Sequence, residues 1–255
     1  MRYLRSLISA VSMFTAIPMP QLDWDMEHGS RMTACLGLVG ALLGALELLL
    51  VRLLDLLSLP VPVFAVLTVG LGCLLTGFLH LDGFMDVCDA LLSHRDEAGR
   101  RRILKDPHCG SFAVISLCLL LAAALAAVYS LRAAGSALSP AVIVAMPVLS
   151  RTAAGLLLLS AKTMPESSLG AYFKTGNGPG VKVLLILSGA AALAAVWIAA
   201  GPLCTGALLA AVILSAALGL YAAHRLGGVN GDVAGFAVVL CETLMLLALT
   251  PAALI

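Results

Sequence analysis

Charged residues are scarce in this chain. Only 11% of its 255 residues are Asp, Glu, Lys or Arg, less than half of the roughly 25% that is usual in soluble proteins. Apolar residues make up 61% and the mean hydropathy is +1.07, so a soluble globule of this length could not bury its apolar surface. The 15 basic and 14 acidic side chains nearly cancel, which argues against a disordered chain and leaves no field to attract nucleic acid.

The sequence also lacks a disulfide framework. Its seven cysteines are odd in number and scattered, with no C-x-x-C pair, and we expect them to pack as small apolar side chains. No repeat of about 20 to 50 residues is apparent, which weakens a transporter of inverted-repeat design. No A-x-A cleavage site follows the first apolar stretch, so we expect the N-terminus to be retained.

Long apolar runs are what the sequence does contain. They are about 20 residues long, the length of a membrane-spanning helix and twice that of a barrel strand. Before them, Leu4, Leu7, Ile8, Val11 and Phe14 share one helical face, which predicts an interfacial or re-entrant helix. We predict an all-α, polytopic membrane helix bundle in one domain, 1–255, with seven spans at residues 34–57, 61–81, 111–131, 138–160, 181–200, 203–223 and 233–254.

Basic residues are distributed unequally between the two sides of these spans. One side holds twelve Lys and Arg residues and the other holds only Arg52 and Arg132. Cytoplasmic loops carry the excess of basic residues, so the long polar segments 82–110, 161–180 and 224–232 are predicted to face the cytoplasm. The C-terminus is then predicted to be outside, and 82–110 to be a cytoplasmic catalytic loop.

Three aspartates at i, i+4 and i+7 form the richest polar motif. Asp82, Asp86 and Asp89 fall within about 60 degrees of one face of a helix, where unpaired carboxylates repel one another. Their hard oxygens suit Mg²⁺, which is typically held by one or two carboxylates and by substrate phosphates. An ordinary acidic helix end is the simpler interpretation. A zinc site from His80, Cys88, His94, His108 and Cys109 matches no common ligand spacing.

Other polar residues fall on the same predicted side. Arg95, the triplet 100–102 and Lys105 are candidate phosphate ligands or ordinary positive-inside anchors, and Asp106 is a candidate fourth carboxylate. The loops 176–180 and 227–232 are rich in glycine, which allows close approach to a ligand, and Asp232 stands where it would cap the last helix. Within the spans, Arg151 is predicted either to pair with Glu242 or Glu47 or to bind substrate.

Together these residues resemble the cobalamin synthase family, the adenosylcobinamide-GDP ribazoletransferases. The aspartate motif and the Lys-Asp-Pro sequence at 105–107 are the most specific parts of the match. Phe78 departs from it, since the family often has glycine there. The resemblance rests on segments 14–18, 79–86 with Asp89, 105–107 with Gly110 and Phe112, 150–151, 169–171, and 231–233 with Gly235 and Glu242.

The resemblance implies a multi-pass enzyme of the bacterial inner membrane with its active site facing the cytoplasm. It would join adenosylcobinamide-GDP to α-ribazole or α-ribazole 5′-phosphate and release GMP, with Mg²⁺ on Asp82, Asp86 and Asp89. Asp89 or Asp86 would accept the proton of the attacking ribazole 5′-hydroxyl, and a homo-oligomer is left open. The implied catalytic residues are Asp82, Asp86, Asp89, Lys105 and Asp106, and the implied substrate-binding residues are His80, Arg95, Arg102, Arg151, Asn230, Asp232 and Glu242.

Two other functions remain open from the sequence. A CDP-alcohol phosphotransferase of phospholipid synthesis uses similar chemistry, but its usual D-x-x-D-G-x-x-A-R signature is absent, since Asp82-Gly83 precedes Asp86 and no Ala-Arg follows. An ion-coupled transporter would place acidic residues near the middle of the membrane, where only Glu47 and Glu242 are candidates.

Overall fold

A computed structural model describes residues 2–20, 22, 31–135, 138–165, 167–174 and 179–252. The described chain is helical apart from loops and a single bridge between Thr163 and Val229. Its helices are α1 Arg2–Phe14, α2 Leu36–Leu56, α3 Val61–Leu75, α4 Leu79–Leu92, α5 Glu97–Ile103, α6 Ser111–Ala133, α7 Pro140–Ser160, α8 Ser168–Lys174, α9 Pro179–Leu226 and α10 Gly231–Ala252. The predicted all-α class is confirmed.

Within the described ranges, five helices are long and apolar enough to span a membrane, namely α2, α6, α7, α9 and α10. The predicted span at 61–81 is wrong as one straight helix, because α3 ends at Leu75 and α4 starts at Leu79 after a 92° bend. Gly77 and Phe78 produce the bend with positive φ angles of 58° and 61°. Counted as one broken span, α3 and α4 add a sixth candidate to these five helices.

The 48-residue helix α9 is two helices folded back on each other. Gly201 has non-helical torsions (φ 78°, ψ −178°) and precedes Pro202. Leu185, in the first half of α9, packs against Gly155 of α7. Gly219, in the second half, packs against Leu157 of α7, which is less than one turn from Gly155. In a straight helix Leu185 and Gly219 would be about 51 Å apart. The two halves are therefore antiparallel, and they correspond to the two spans predicted at 181–200 and 203–223.

Helix α7 is the centre of the bundle, with 83% of its apolar window buried against 17–56% for the other four candidate spans. Glycines let α2 lie directly against it. A Cβ at Gly40 would be 2.5 Å from the carbonyl oxygen of Pro147, and one at Gly44 would be 2.7 Å from the Cα of Val144. Small residues permit such close helix contacts in membranes, where packing replaces the hydrophobic driving force.

The N-terminal helix forms as predicted, but it also packs against the bundle. Ala10 and Val11 are buried in a cluster with Met32, Tyr172 and Phe173, while Leu4 remains exposed. Beyond the helix, the backbone N–H of Ala16 donates to the carbonyl of Leu75 at 2.8 Å. The start of the chain is thus attached to the bend between α3 and α4.

The polar segments meet at one end of the bundle, which we call the aspartate end. The N–H of Val229 donates to the carbonyl of Lys162 at 2.7 Å, and the N–H of Met164 donates to the carbonyl of Val229 at 3.0 Å. Arg101 reaches from α5 to the last carbonyl of α9. The three long polar segments are therefore neighbours, although 82–110 is mostly helical and not the predicted loop, since α4 and α5 fill much of it.

Candidate active site

Helix α4 carries the three aspartates on one face at the aspartate end. Asp82 lies in the first turn of α4, where the partial positive charge of a helix N-terminus favours a carboxylate. Asp82 is exposed, and Asp86 and Asp89 are partly buried. Asp86 interacts electrostatically with both of the others. The helical spacing predicted for the motif is thus confirmed.

Helix α10 brings a fourth carboxylate to this face, and it is Asp232. A Cβ at Gly83 would be 2.8 Å from the Cα of Asp232, so glycine lets the two backbones touch there. Gly235 makes a second close approach, where an added Cβ would be 3.3 Å from the Cα of His80. The sequence did not predict that α4 and α10 would cross at either glycine, although Gly83 lies within the aspartate motif, between Asp82 and Asp86. Asp232 interacts electrostatically with Asp86 and Asp82.

Asn230, not Asp232, caps helix α10. The backbone N–H of Val233 donates to Oδ1 of Asn230 at 3.0 Å, which is the bond an N-cap side chain accepts. The amide nitrogen of Asn230 then donates to Oδ2 of Asp232 at 2.6 Å. The predicted cap at Asp232 is therefore wrong, and Asn230 leaves Asp232 oriented beside Asp82 and Asp86.

Asp89 and Asp106 have different surroundings. The carboxylate of Asp89 lies against Gly110 at the start of α6, where any side chain would collide with it. Asp106 is exposed and accepts hydrogen bonds from the backbone N–H of His108 at 3.0 Å and from its ring, 2.6 Å away. These bonds, the backbone one foremost, hold the pKa of Asp106 below its ordinary value. No contact joins Asp106 to the other aspartates in the part of the chain described.

The basic residues divide into two groups. Nη1 of Arg100 donates to the carbonyl of Arg225 at 3.3 Å, and Nε of Arg101 donates to that of Leu226 at 3.0 Å. Both cap the C-terminal end of α9, where cations are favoured, so neither is the predicted phosphate ligand. Arg95, Arg102 and Lys105, which lie near the aspartates in sequence, are exposed and form no ion pair among the described residues.

The glycines of the 227–232 loop pack against protein. A side chain at Gly227 would collide with Arg101 and Glu97, and one at Gly228 would be 2.5 Å from the backbone nitrogen of Met164. We predicted that these glycines would allow close approach of a ligand. In the structure Gly227 and Gly228 instead allow close contacts between the polar segments. The second glycine-rich loop, at 176–180, lies mostly outside the described residues.

Arg151 and Glu242 form a partly buried ion pair away from the aspartates. Nη1 of Arg151 donates to Oε1 of Glu242 and to Oγ of Ser150, at 3.0 Å for the serine. Ser150 in turn donates to Glu242 at 2.8 Å. Of the alternatives that the sequence left open for Arg151, the structure shows the pair with Glu242. His80, which is buried and stacks on Phe14, lines the same interior cavity as this pair.

The aspartates suit a hard divalent cation by their chemistry. No three His, Cys, Asp or Glu side chains within the described ranges converge closely enough to bind a metal ion by themselves. Mg²⁺, however, commonly takes one or two carboxylates and completes its shell with water and phosphate oxygens. The partly exposed carboxylates of Asp82, Asp86 and Asp232 fit that incomplete protein shell.

The apolar helices and the carboxylates at one end identify the class of protein. It is a multi-pass helical membrane protein with an acidic site where its polar segments meet. A family model described as cobalamin-5-phosphate synthase matches residues 6–250, and the chain belongs to this family.

Relatives named adenosylcobinamide-GDP ribazoletransferase match nearly the whole chain. One from Clostridium botulinum (strain Alaska E43 / Type E3) is 36% identical over 243 residues, 93% of this chain and 94% of the relative. Another, from Geobacillus kaustophilus (strain HTA426), is 34% identical over 249 residues, with 92% and 91% covered. No solved structure matches the chain. The resemblance predicted from the sequence is confirmed, and with it a transferase of cobalamin biosynthesis.

Proposed function

We propose that the protein joins adenosylcobinamide-GDP to α-ribazole or α-ribazole 5′-phosphate and releases GMP. The observation that carries the proposal is the meeting of Asp82 and Asp86 with Asp232 at the crossing of α4 and α10, in a chain of this family. Carboxylates grouped in this way repel one another unless a cation joins them. A pyrophosphate substrate with Mg²⁺ would supply that cation and share it.

The reaction transfers a phosphoryl group between two oxygens. A ribazole hydroxyl attacks the phosphorus on the cobinamide side, the bond from that phosphorus to the GMP oxygen breaks, and GMP leaves. Because the 5′-phosphate form would keep its phosphate, the attacking oxygen is a ring hydroxyl of the ribose and not the 5′-hydroxyl expected from the sequence. Asp86, which is partly buried, would accept its proton. Mg²⁺ bound at Asp82, Asp86 or Asp232 would offset charge on the pyrophosphate.

Further roles belong to side chains around the carboxylates. The exposed cations of Arg95, Arg102 and Lys105 would bind phosphate oxygens of the departing GMP. Asn230 positions Asp232 through its 2.6 Å hydrogen bond. Asp89 would contribute indirectly, by holding the start of α6 in position, because its carboxylate lies against Gly110. We place the aspartate end in the cytoplasm of a bacterial inner membrane, on the excess of basic residues there.

The test is Mg²⁺-dependent GMP release by purified protein in lipid, with adenosylcobinamide-GDP and α-ribazole supplied and the joined corrinoid identified by mass spectrometry. Asp82→Asn and Asp86→Asn are each expected to lower turnover at least about a hundredfold, because each removes a carboxylate from the cation site. The matched control is Asp96→Asn on the neighbouring helix. Asp96 caps α5 by accepting from the Gly99 N–H, and asparagine preserves that cap.

Each outcome distinguishes a different function. Full turnover by the Asp82→Asn, Asp86→Asn double variant would overturn the role of these carboxylates. No joined corrinoid from folded wild-type protein would overturn the reaction itself. Release of CMP from a CDP-alcohol, with no GMP, would instead favour a phospholipid phosphotransferase.

A further inference from the structure

A cavity of about 220 Å³ lies among α2, α3, α6, α7 and α10. Its walls are mainly apolar, with Val51, Ala124 and Val239 among them. Asp82, Asp86, Asp89 and Asp232 are not among its lining residues, but His80 and Leu81 are, and they directly precede Asp82 on α4. The cavity therefore starts beside the acidic site and continues into the bundle.

The polar groups at the far end of the cavity are paired. Nη1 of Arg132 lies 2.6 Å from Oδ1 of Asp55, and the guanidinium covers the ring of Phe64 at 4.4 Å. Arg52 is also close, with Nη1 3.8 Å from Oδ2 of Asp55. The charges of these groups offset one another, although Oδ1 of Asp55 and Oγ1 of Thr68, which also line the cavity, make no hydrogen bond in the described chain.

At the end beside the acidic site, buried polar groups lack partners. Nδ1 of His80 and Nε of Arg151 have no hydrogen-bond partner in the described chain. His80 is only 8% exposed and Arg151 only 2%. Both side chains line the cavity. A buried polar atom without a partner costs about 1–3 kcal/mol, which a ligand with a hydrogen-bonding group would recover.

We propose that this cavity binds the apolar benzimidazole base of α-ribazole, with a ring nitrogen of the base facing His80. The assignment rests on the proposed function for the identity of the nucleoside. A flat, alkylated heterocycle matches mainly apolar walls with a few polar groups at one end, the usual composition of a small-molecule site. A lipid chain fits less well, because hydrocarbon offers no hydrogen bond to His80 or Arg151.

The position of the cavity suits a nucleoside that reacts at its ribose. His80 and Asp82 both lie in the first turn of α4, about 3 Å apart along its axis but about 200° apart around it. The ribose of a base bound beside His80 would therefore reach Asp82 around the N-terminal end of α4. Phe14 stacks on His80 with ring centroids 6.5 Å apart and fixes the imidazole plane.

Chemical labelling of Cys73 reports whether the cavity is occupied in the unaltered protein, because Cys73 lines the cavity. Protein in lipid nanodiscs is treated with N-ethylmaleimide, with and without α-ribazole, and labelling is measured for each cysteine by peptide mass spectrometry. We expect α-ribazole, and 5,6-dimethylbenzimidazole alone, to slow labelling of Cys73 at least about tenfold while exposed Cys118 is unchanged. Cys73 labelling that is absent, unaffected by either compound, or slowed only by added lipid would overturn the proposal.

A matched pair of variants on α6 tests the same site in turnover. Ala124→Phe fills the cavity, whereas Ala126→Phe places the same ring at an exposed position two residues away. We expect Ala124→Phe to raise the KM for α-ribazole at least about tenfold without changing the KM for adenosylcobinamide-GDP. An unchanged KM for α-ribazole, or an equal rise for both variants, would overturn the proposal. Should Ala124→Phe fail to fold, Cys73 protection in the wild type decides.

The two experiments separate this inference from the proposed function. Wild-type protein that releases GMP but shows no Cys73 protection refutes the base site alone. Wild-type protein that binds 5,6-dimethylbenzimidazole at Cys73 but joins no corrinoid refutes the reaction and leaves an aromatic-base site.

Discussion

At the residue scale, one backbone torsion gives α4 its direction. Phe78 precedes α4 with φ +61°, a left-handed conformation that costs a residue with a Cβ roughly 1–2 kcal/mol. Its side chain is 50% exposed, so little packing offsets that cost. The fold thus carries local strain at the turn that leads into its aspartates.

Phe78→Gly is therefore expected to be more stable than Phe78→Ala by roughly 0.5–1 kcal/mol, after the greater flexibility of unfolded glycine is subtracted. Both variants lose the ring, so the comparison isolates the torsion. Thermal unfolding in detergent measures the difference. Equal stability of the two variants would show that Phe78 carries no torsional strain.

Single residues also show where sequence reasoning reached its limit. Asp82 and Asp86 were predictable because a fixed spacing on one helix needs no knowledge of its neighbours. The choice between Glu242 and Glu47 as partner of Arg151 was not, because it depends on which helix faces cross. Arg100 and Arg101 were equally ambiguous, since the carbonyls they bind are about 125 residues distant in sequence.

At the element scale, glycine spacing sets how closely the central helices approach. Gly40 of α2 faces the backbone of α7 so closely that an added Cβ would lie 2.5 Å from the Pro147 oxygen. Gly70 of α3 is exposed, and an added Cβ would meet nothing within 4 Å. The same substitution therefore has opposite consequences at the two sites.

Gly40→Ala is expected to destabilise the protein by about 2 kcal/mol, because two helix backbones must separate. Gly70→Ala is expected to be neutral or to stabilise by up to about 1 kcal/mol through helix propensity. Detergent-based thermal unfolding of both variants beside the wild type tests this. Unchanged stability of Gly40→Ala would contradict the close packing of α2 on α7.

Most helix boundaries were predictable because apolar runs and Gly-Pro breaks are local signals. The run 61–81 misled, since its apolar composition continues unbroken across the bend at Gly77 and Phe78. Hydropathy records whether a residue suits lipid but not the direction of the backbone. The cap at Asn230 was missed for a related reason, because Asn230 and Asp232 both suit an N-cap and only geometry distinguishes them.

At the scale of the whole molecule, the polar segments gather at one end and the short connections lie at the other. Twelve basic residues accompany the first end and two the second. A reporter fused after residue 255 is therefore expected to act outside the cytoplasm, and one inserted after His108 inside it. Paired fusions of an enzyme active only outside the cytoplasm test this. Activity at His108, or its absence at residue 255, would contradict the orientation.

The hairpin at Gly201 has a consequence for how the protein reaches its membrane. Between Lys182 and His224 the sequence contains no charged side chain, and the two antiparallel halves meet at one glycine with no polar loop. Moving this tip through the bilayer transfers no charge, and transferring charge is the main cost of crossing hydrocarbon. Both halves can therefore enter together during synthesis as one antiparallel pair, which then packs against α7.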